Sequence, residues 1–138
     1  MKLLRYIWAL PNTLLGLLFV PLALFTKGRI DIVNGVLEIH GGIVSWILKS
    51  CMPVRGYVGA LTIGHVILGY NRESLSAYRL HEHAHVRQYE MLGPAFIPVY
   101  IAAGIWALIR GNGMYEGNYL ERKAIEYERE RNHEQKIQ

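Results

Sequence analysis

Disulfide chemistry is the first thing this chain lacks. Its one cysteine, Cys51, cannot cross-link within the chain, so no oxidising compartment is implied, and a lone thiol is more often a small hydrophobe than a nucleophile. Charge is scarce too: Asp, Glu, Lys and Arg make up 19% of the 138 residues against 51% apolar residues. That balance points to a membrane, or to a homo- or hetero-oligomeric partner that covers apolar surface. The net charge is +4, but Lys and Arg are scattered and no basic run is interleaved with aromatics, so nucleic acid is not an expected partner. The length suits one domain, and neither an internal repeat nor a low-complexity segment divides it.

What the chain does have begins with Tyr6–Thr26 (YIWALPNTLLGLLFVPLALFT), 21 residues without a charge, matching the roughly 20 needed to cross a bilayer core. It lacks a clear small-x-small cleavage site, so residues 1–28 read as an uncleaved transmembrane anchor. Pro11, Asn12 and Pro21 should kink this helix and require protein partners at those depths. From Arg29 to His40 polar and apolar residues alternate around Asn34-Gly35, a β-hairpin signature. Residues 56–70 are β-branched and broken by glycines, suggesting one or two strands. Asn71–Leu75 then offers cap residues for a helix. A second uncharged run, Met91–Ile109, carries Pro94 and Pro98, and a charged helix begins at Asn118.

The helix capped near Asn71 carries HEHAH at residues 81–85. At about 100° per residue, His81 and His85 lie one turn apart on one face and can share an ion, while His83 faces away. This is HExxH: two imidazoles hold zinc and the intervening Glu82 acts as general base toward water. With six His and ten Glu, such a pattern arises by chance in roughly 2% of chains of this composition. A third ligand is needed, and the charged helix offers Glu121, Glu126 and Glu128. Gln88 shares the His81 face as a partner for a ligand imidazole, and His65, Tyr70, Tyr78 and Tyr127 are candidate donors to an oxyanion. The preceding β segment could hold an extended peptide at its edge.

HEHAH followed by ERKA at residues 121–124 resembles the gluzincin zinc metallopeptidases, especially the membrane-embedded proteases that process CAAX proteins or respond to heat shock. Residues 60–127 also resemble small bacterial membrane proteins with HExxH-V-x-Q-Y, an apolar segment and an N-x-x-E-R-x-A helix. The resemblance implies His81, His85 and Glu121 as zinc ligands, Glu82 as catalytic residue, a peptide or protein substrate and a bacterial inner-membrane location. The second-choice ligand is Glu126, in an ExxxE register with Glu130. Where those proteases carry Asp after the Ala, this chain has Ile125, so a ligand imidazole must find another acceptor.

The expected fold is therefore α+β: the anchor, then residues 29–138 as a membrane-associated metallopeptidase-like domain with a small antiparallel hairpin or sheet and a minimal helical zinc site. If residues 91–109 simply crossed the bilayer, Glu121 would stand about 30 Å from His81. A zigzag is expected instead, in which residues 91–109 climb as far as 75–91 descend and form a membrane-inserted or interfacial arm. The site would then lie near the membrane surface, with the unpaired cysteine tilting it to the cytoplasmic side; Lys2 and Arg5 before the anchor are cancelled by Lys27 and Arg29 after it. Two other readings compete. One is a scaffold with a structural metal, the other a di-iron protein using Glu82/His85 and Glu130/His133 as paired ExxH motifs.

Overall fold

Asn34 and Gly35 take left-handed backbone, φ 52° and 79°, as a two-residue hairpin of the I′ type demands. Strand β1 (Arg29–Val33) accordingly folds back antiparallel on β2 (Val36–His40), with Val33 opposite Val36. A second tight turn, Gly64-His65, joins β3 (Ala60–Ile63) to β4 (Val66–Gly69). This computed structural model describes residues 2–51 and 58–137. The strand-rich stretch over residues 56–70 thus holds two strands, and its first two residues lie outside the described ones.

The antiparallel sheet expected from sequence is corrected to a mixed one. β2 and β4 run parallel, Leu37 beside Val66 and His40 beside Gly69, giving a four-stranded sheet of order β1-β2-β4-β3. The connection explains this: helix α3 (Gly42–Ser50) packs Val44 and Leu48 on Ile39, Val66 and Leu68, so the chain crosses one face before returning, as a parallel pair requires.

The N-terminal apolar run forms α1 (Lys2–Leu17) and α2 (Phe19–Phe25), broken at Leu18 just ahead of Pro21, whose missing N–H and ring disfavour a continuous helix. Both pack along the domain. Ala9, Asn12, Gly16 and Ala23 are buried. A Cβ on Gly16 would lie 2.7 Å from Val66 Cβ, so α1 approaches the sheet at backbone distance. The polar residues that interrupt the run find the expected protein partners: Asn12 Nδ2 donates to Gly93 O at 2.8 Å, and Thr13 Oγ1 accepts the His65 backbone N–H at 3.1 Å.

On the opposite face lies α4 (Arg72–Leu92), which starts where Asn71 Oδ1 accepts the Ser74 N–H at 2.7 Å, an N-cap. Its Leu75 and Val86 pack on Val36 and Ile67. A 3₁₀ turn at Gly93–Ala95 leads into α5 (Phe96–Ile109), and α6 (Tyr119–Ile137) closes the chain. Pro94 falls in the turn and Pro98 in the first turn of α5, where an N–H is not needed. The whole is α+β, an N-terminal apolar helix pair on a small mixed sheet with four further α-helices among the described residues. The stretches Lys2–Phe25 and Arg72–Ile109 are long and apolar enough to cross a membrane by length and composition alone.

Candidate metal centre

One turn apart on α4, His81 and His85 bring their Nε2 atoms to 3.2 Å. Glu121, in the first turn of α6, places Oε2 3.1 Å from His81 Nε2 and 3.4 Å from His85 Nε2. All three side chains are buried, and their ligand atoms lie within 4.8 Å of one another. The start of α6 is fixed by the buried Asn118, which donates to Tyr100 O at 3.0 Å and accepts the Leu120 N–H at 3.0 Å.

The path that brings Glu121 back differs from the expected even zigzag. The His85 ring already sits 6.1 Å from Phe96 and 6.2 Å from Tyr100, so the first two turns of α5 return to the level of the site. The remainder of α5 overshoots by roughly 14 Å at 1.5 Å per residue. Residues 110–118 then double back along it: the Asn112 N–H donates to Ala107 O at 2.9 Å, and a Cβ on Gly117 would lie 2.7 Å from Ala107 Cβ.

Gln88 fixes the proton on one imidazole. Its Nε2 donates to Leu120 O at 2.9 Å, which turns Oε1 toward His85 Nδ1 at 2.9 Å. A carbonyl oxygen only accepts, so Nδ1 carries the hydrogen and the Nε2 lone pair faces His81 and Glu121. His81 Nδ1 faces Glu128 Oε2 at 3.7 Å, which favours the same arrangement. Two imidazole lone pairs and a carboxylate oxygen therefore converge with no N–H among them, a nitrogen and oxygen donor set that fits a divalent cation such as zinc. Gln88 is also the acceptor for a ligand imidazole that Ile125 fails to provide.

Charge follows the same logic. Burial pushes the Glu121 carboxyl up, but the neighbouring His81 and His85 imidazoles and the Tyr100 hydroxyl outweigh it and hold the group well below the usual carboxylate range. Burial opposes charging His85, yet the Glu121 carboxylate prevails and raises its pKa: the site attracts positive charge. Tyr100 donates its hydroxyl hydrogen to Glu121 Oε1, leaving Oε2 to the histidines. Glu82 is buried between α4 and β3, where Thr62 Oγ1 donates to its Oε2 at 2.7 Å. Burial raises its pKa, opposed by His85 and Thr62, which brings a carboxylate base nearer to neutral pH.

Other candidates lie elsewhere. Glu126 is exposed and paired with Lys123 at 2.6 Å, so the second-choice ligand is not part of the cluster. Tyr127 lies between Arg87 and Arg131, 5.2 and 5.5 Å from its ring centre. His65 stacks on Tyr6, with Nδ1 3.3 Å from Thr13 Oγ1 and Nε2 3.3 Å from Glu90 Oε1, so both ring nitrogens are engaged away from the centre. Tyr78 is half exposed and packs over Gly59, while the Tyr70 carbonyl accepts from Ser45. Glu130 and His133 are exposed along α6, and a second ExxH pair does not join Glu82 and His85. Thr62, Tyr100 and Tyr115, a phenol whose pKa burial and the nearby Glu121 carboxylate raise, are missed by motif reasoning because they stand at no fixed spacing from HExxH. No family model, curated protein or solved structure matches the chain, so the functional reading rests on this geometry.

Proposed function

We propose that the protein is a zinc-dependent peptidase acting on a peptide or protein at a membrane. The observation that carries the reading is the convergence of His81, His85 and Glu121 ligand atoms within 4.8 Å, with the buried Glu82 beside them on the same helix. His81 and His85 through Nε2 and Glu121 through Oε2 would hold the ion. Zinc bound there supplies Lewis acidity, lowering the pKa of water and polarising a carbonyl.

The chain's own residues do the rest. Glu82 Oε2 is held by Thr62, which leaves Oε1 to take a proton from the attacking water and pass it to the departing amine nitrogen. Tyr115, half exposed in the segment just ahead of α6, is proposed as the donor to the substrate carbonyl oxygen as it gains charge. Tyr100 and Gln88 keep Glu121 and His85 in their ligand orientations.

The deep burial of all three ligands, Glu121 at 3% exposure, favours a second reading, a closed structural metal site in a scaffold. Glu82→Gln separates the two. In an enzyme the variant keeps wild-type zinc content while hydrolysis of a peptide library, assayed with the full chain in detergent, falls by roughly 10²–10⁴-fold. Equal cleavage by wild type and variant, or none by the zinc-loaded wild type, would sink the peptidase reading.

A further inference from the structure

We infer that α1 and α2 lie in the plane of one leaflet's surface and seat the domain on the membrane, rather than crossing it. The inference rests on the membrane part of the reading above and not on hydrolysis.

The helix pair is tied to the domain at both ends and between. Near its start, Tyr6 donates to Gly35 O at 3.0 Å, in the turn between β1 and β2. Mid-way, Asn12 bonds Gly93 and Gly16 abuts Val66. At its end, Thr26 Oγ1 accepts the Ile43 N–H at 2.9 Å, and the chain enters β1 two residues later at Gly28-Arg29. β1 therefore starts beside the end of α2 and finishes at the turn that Tyr6 reaches, so its two ends stand level with the two ends of the helix pair. A bilayer crossed by these helices would also enclose β1, an edge strand of the sheet, with the carboxylate of Asp31 at 58% side-chain exposure about half-way along. Open sheet edges facing lipid do not occur within hydrocarbon, where the backbone groups would go unpaired, and an exposed carboxylate at that depth is strongly disfavoured.

An in-plane helix meets none of these difficulties. Turned away from the domain, exposed Leu3, Leu4, Ile7, Trp8, Leu14 and Leu15 cover about half the circumference of α1, while the buried face is small or polar. Lying flat, such a helix buries its apolar side at the boundary of headgroups and acyl chains while its small or polar side stays on the protein. Charge complementarity points to anionic lipid. Lys2 and Arg5 at one end and Lys27 and Arg29 at the other are all exposed. For a spanning helix these cations cancel as an orientation signal; for a helix lying flat, both pairs sit in one headgroup layer and add.

The test uses the full chain with Cys51→Ser and single cysteines at Leu3, Leu14 or Leu24, each carrying a fluorophore, in phosphatidylglycerol and phosphatidylethanolamine vesicles with quenchers at graded depth. The in-plane arrangement gives one shallow depth at all three positions, and an external aqueous reductant bleaches all three. Lys27→Gln or Arg29→Gln weakens vesicle partition about fivefold each at low salt. A deep label at Leu14 with Leu3 and Leu24 shallow and only one of those two bleached would overturn the inference in favour of a span. Failure to float with vesicles at all would overturn it together with the membrane reading, whereas zinc content and hydrolysis of a soluble peptide report separately on the peptidase.

Discussion

Two of the buried carboxylates lie on opposite sides of α4, and their company differs. Glu38 on β2, 2% exposed, is gripped by Arg79, with Nε and Nη2 each 2.8 Å from a carboxylate oxygen. Glu121 on α6, 3% exposed, meets two imidazole lone pairs instead. Arg79 and His83 form one i, i+4 stripe toward the sheet and His81 and His85 another toward α6. Hydrogen bonding to Glu38 raises the Arg79 pKa, so that cation is permanent, while burial lowers the His83 pKa and its Nε2 is buried without a partner. Identical spacing thus yields a closed ion pair on one side and, on the other, a cluster able to hold a metal ion.

The largest effect is predicted on the self-contained side. Arg79→Ala leaves Glu38 buried without its counter-charge and should cost about 3–5 kcal/mol, while the double variant Arg79→Ala/Glu38→Leu recovers most of the loss. Thermal unfolding checks this; equal losses in the single and double variants would erase the contrast. Next, zinc added to the metal-stripped chain at 100-fold over its Kd should stabilise wild type by about 2.7 kcal/mol through mass action, and Glu121→Gln should abolish most of that gain. An equal rise in Tm in both proteins would mean the metal binds elsewhere. Smallest is the support of His85: Gln88→Ala should weaken zinc binding about 10- to 100-fold by competition with a chelating dye, and an unchanged affinity would leave the carboxamide a mere neighbour.

What sequence revealed follows from the range of each interaction. Asn34-Gly35 forces its own turn, Asn71 caps its own helix, and His81 and His85 meet by helix pitch alone, so all three were legible locally. Choosing among Glu121, Glu126 and Glu128 needed the rotation of α6, which Leu120 and Ala124 set by burying their face. The parallel pairing of β2 with β4 was hidden because two tight antiparallel hairpins say nothing of how they join. Thr62 and Tyr100 reach the site across the fold, from a strand and an apolar helix. The uncharged run at the N-terminus drew attention by its length, although Ala9, Asn12, Thr13 and Gly16, small or polar at helical spacing, already marked a face meant for protein.

Gly93 is the joint between α4 and α5. It holds φ 54°, and a Cβ there would lie 2.4 Å from Trp8 Nε1, while its carbonyl takes the Asn12 carboxamide. The elbow between the charged and apolar helices is thus a socket filled by the first helix rather than a free hinge. Since Tyr100 and Asn118 hang the ligand-bearing end of α6 from the far side of that elbow, the angle at which Glu121 addresses its histidines is set, at one remove, by how firmly the N-terminus is seated.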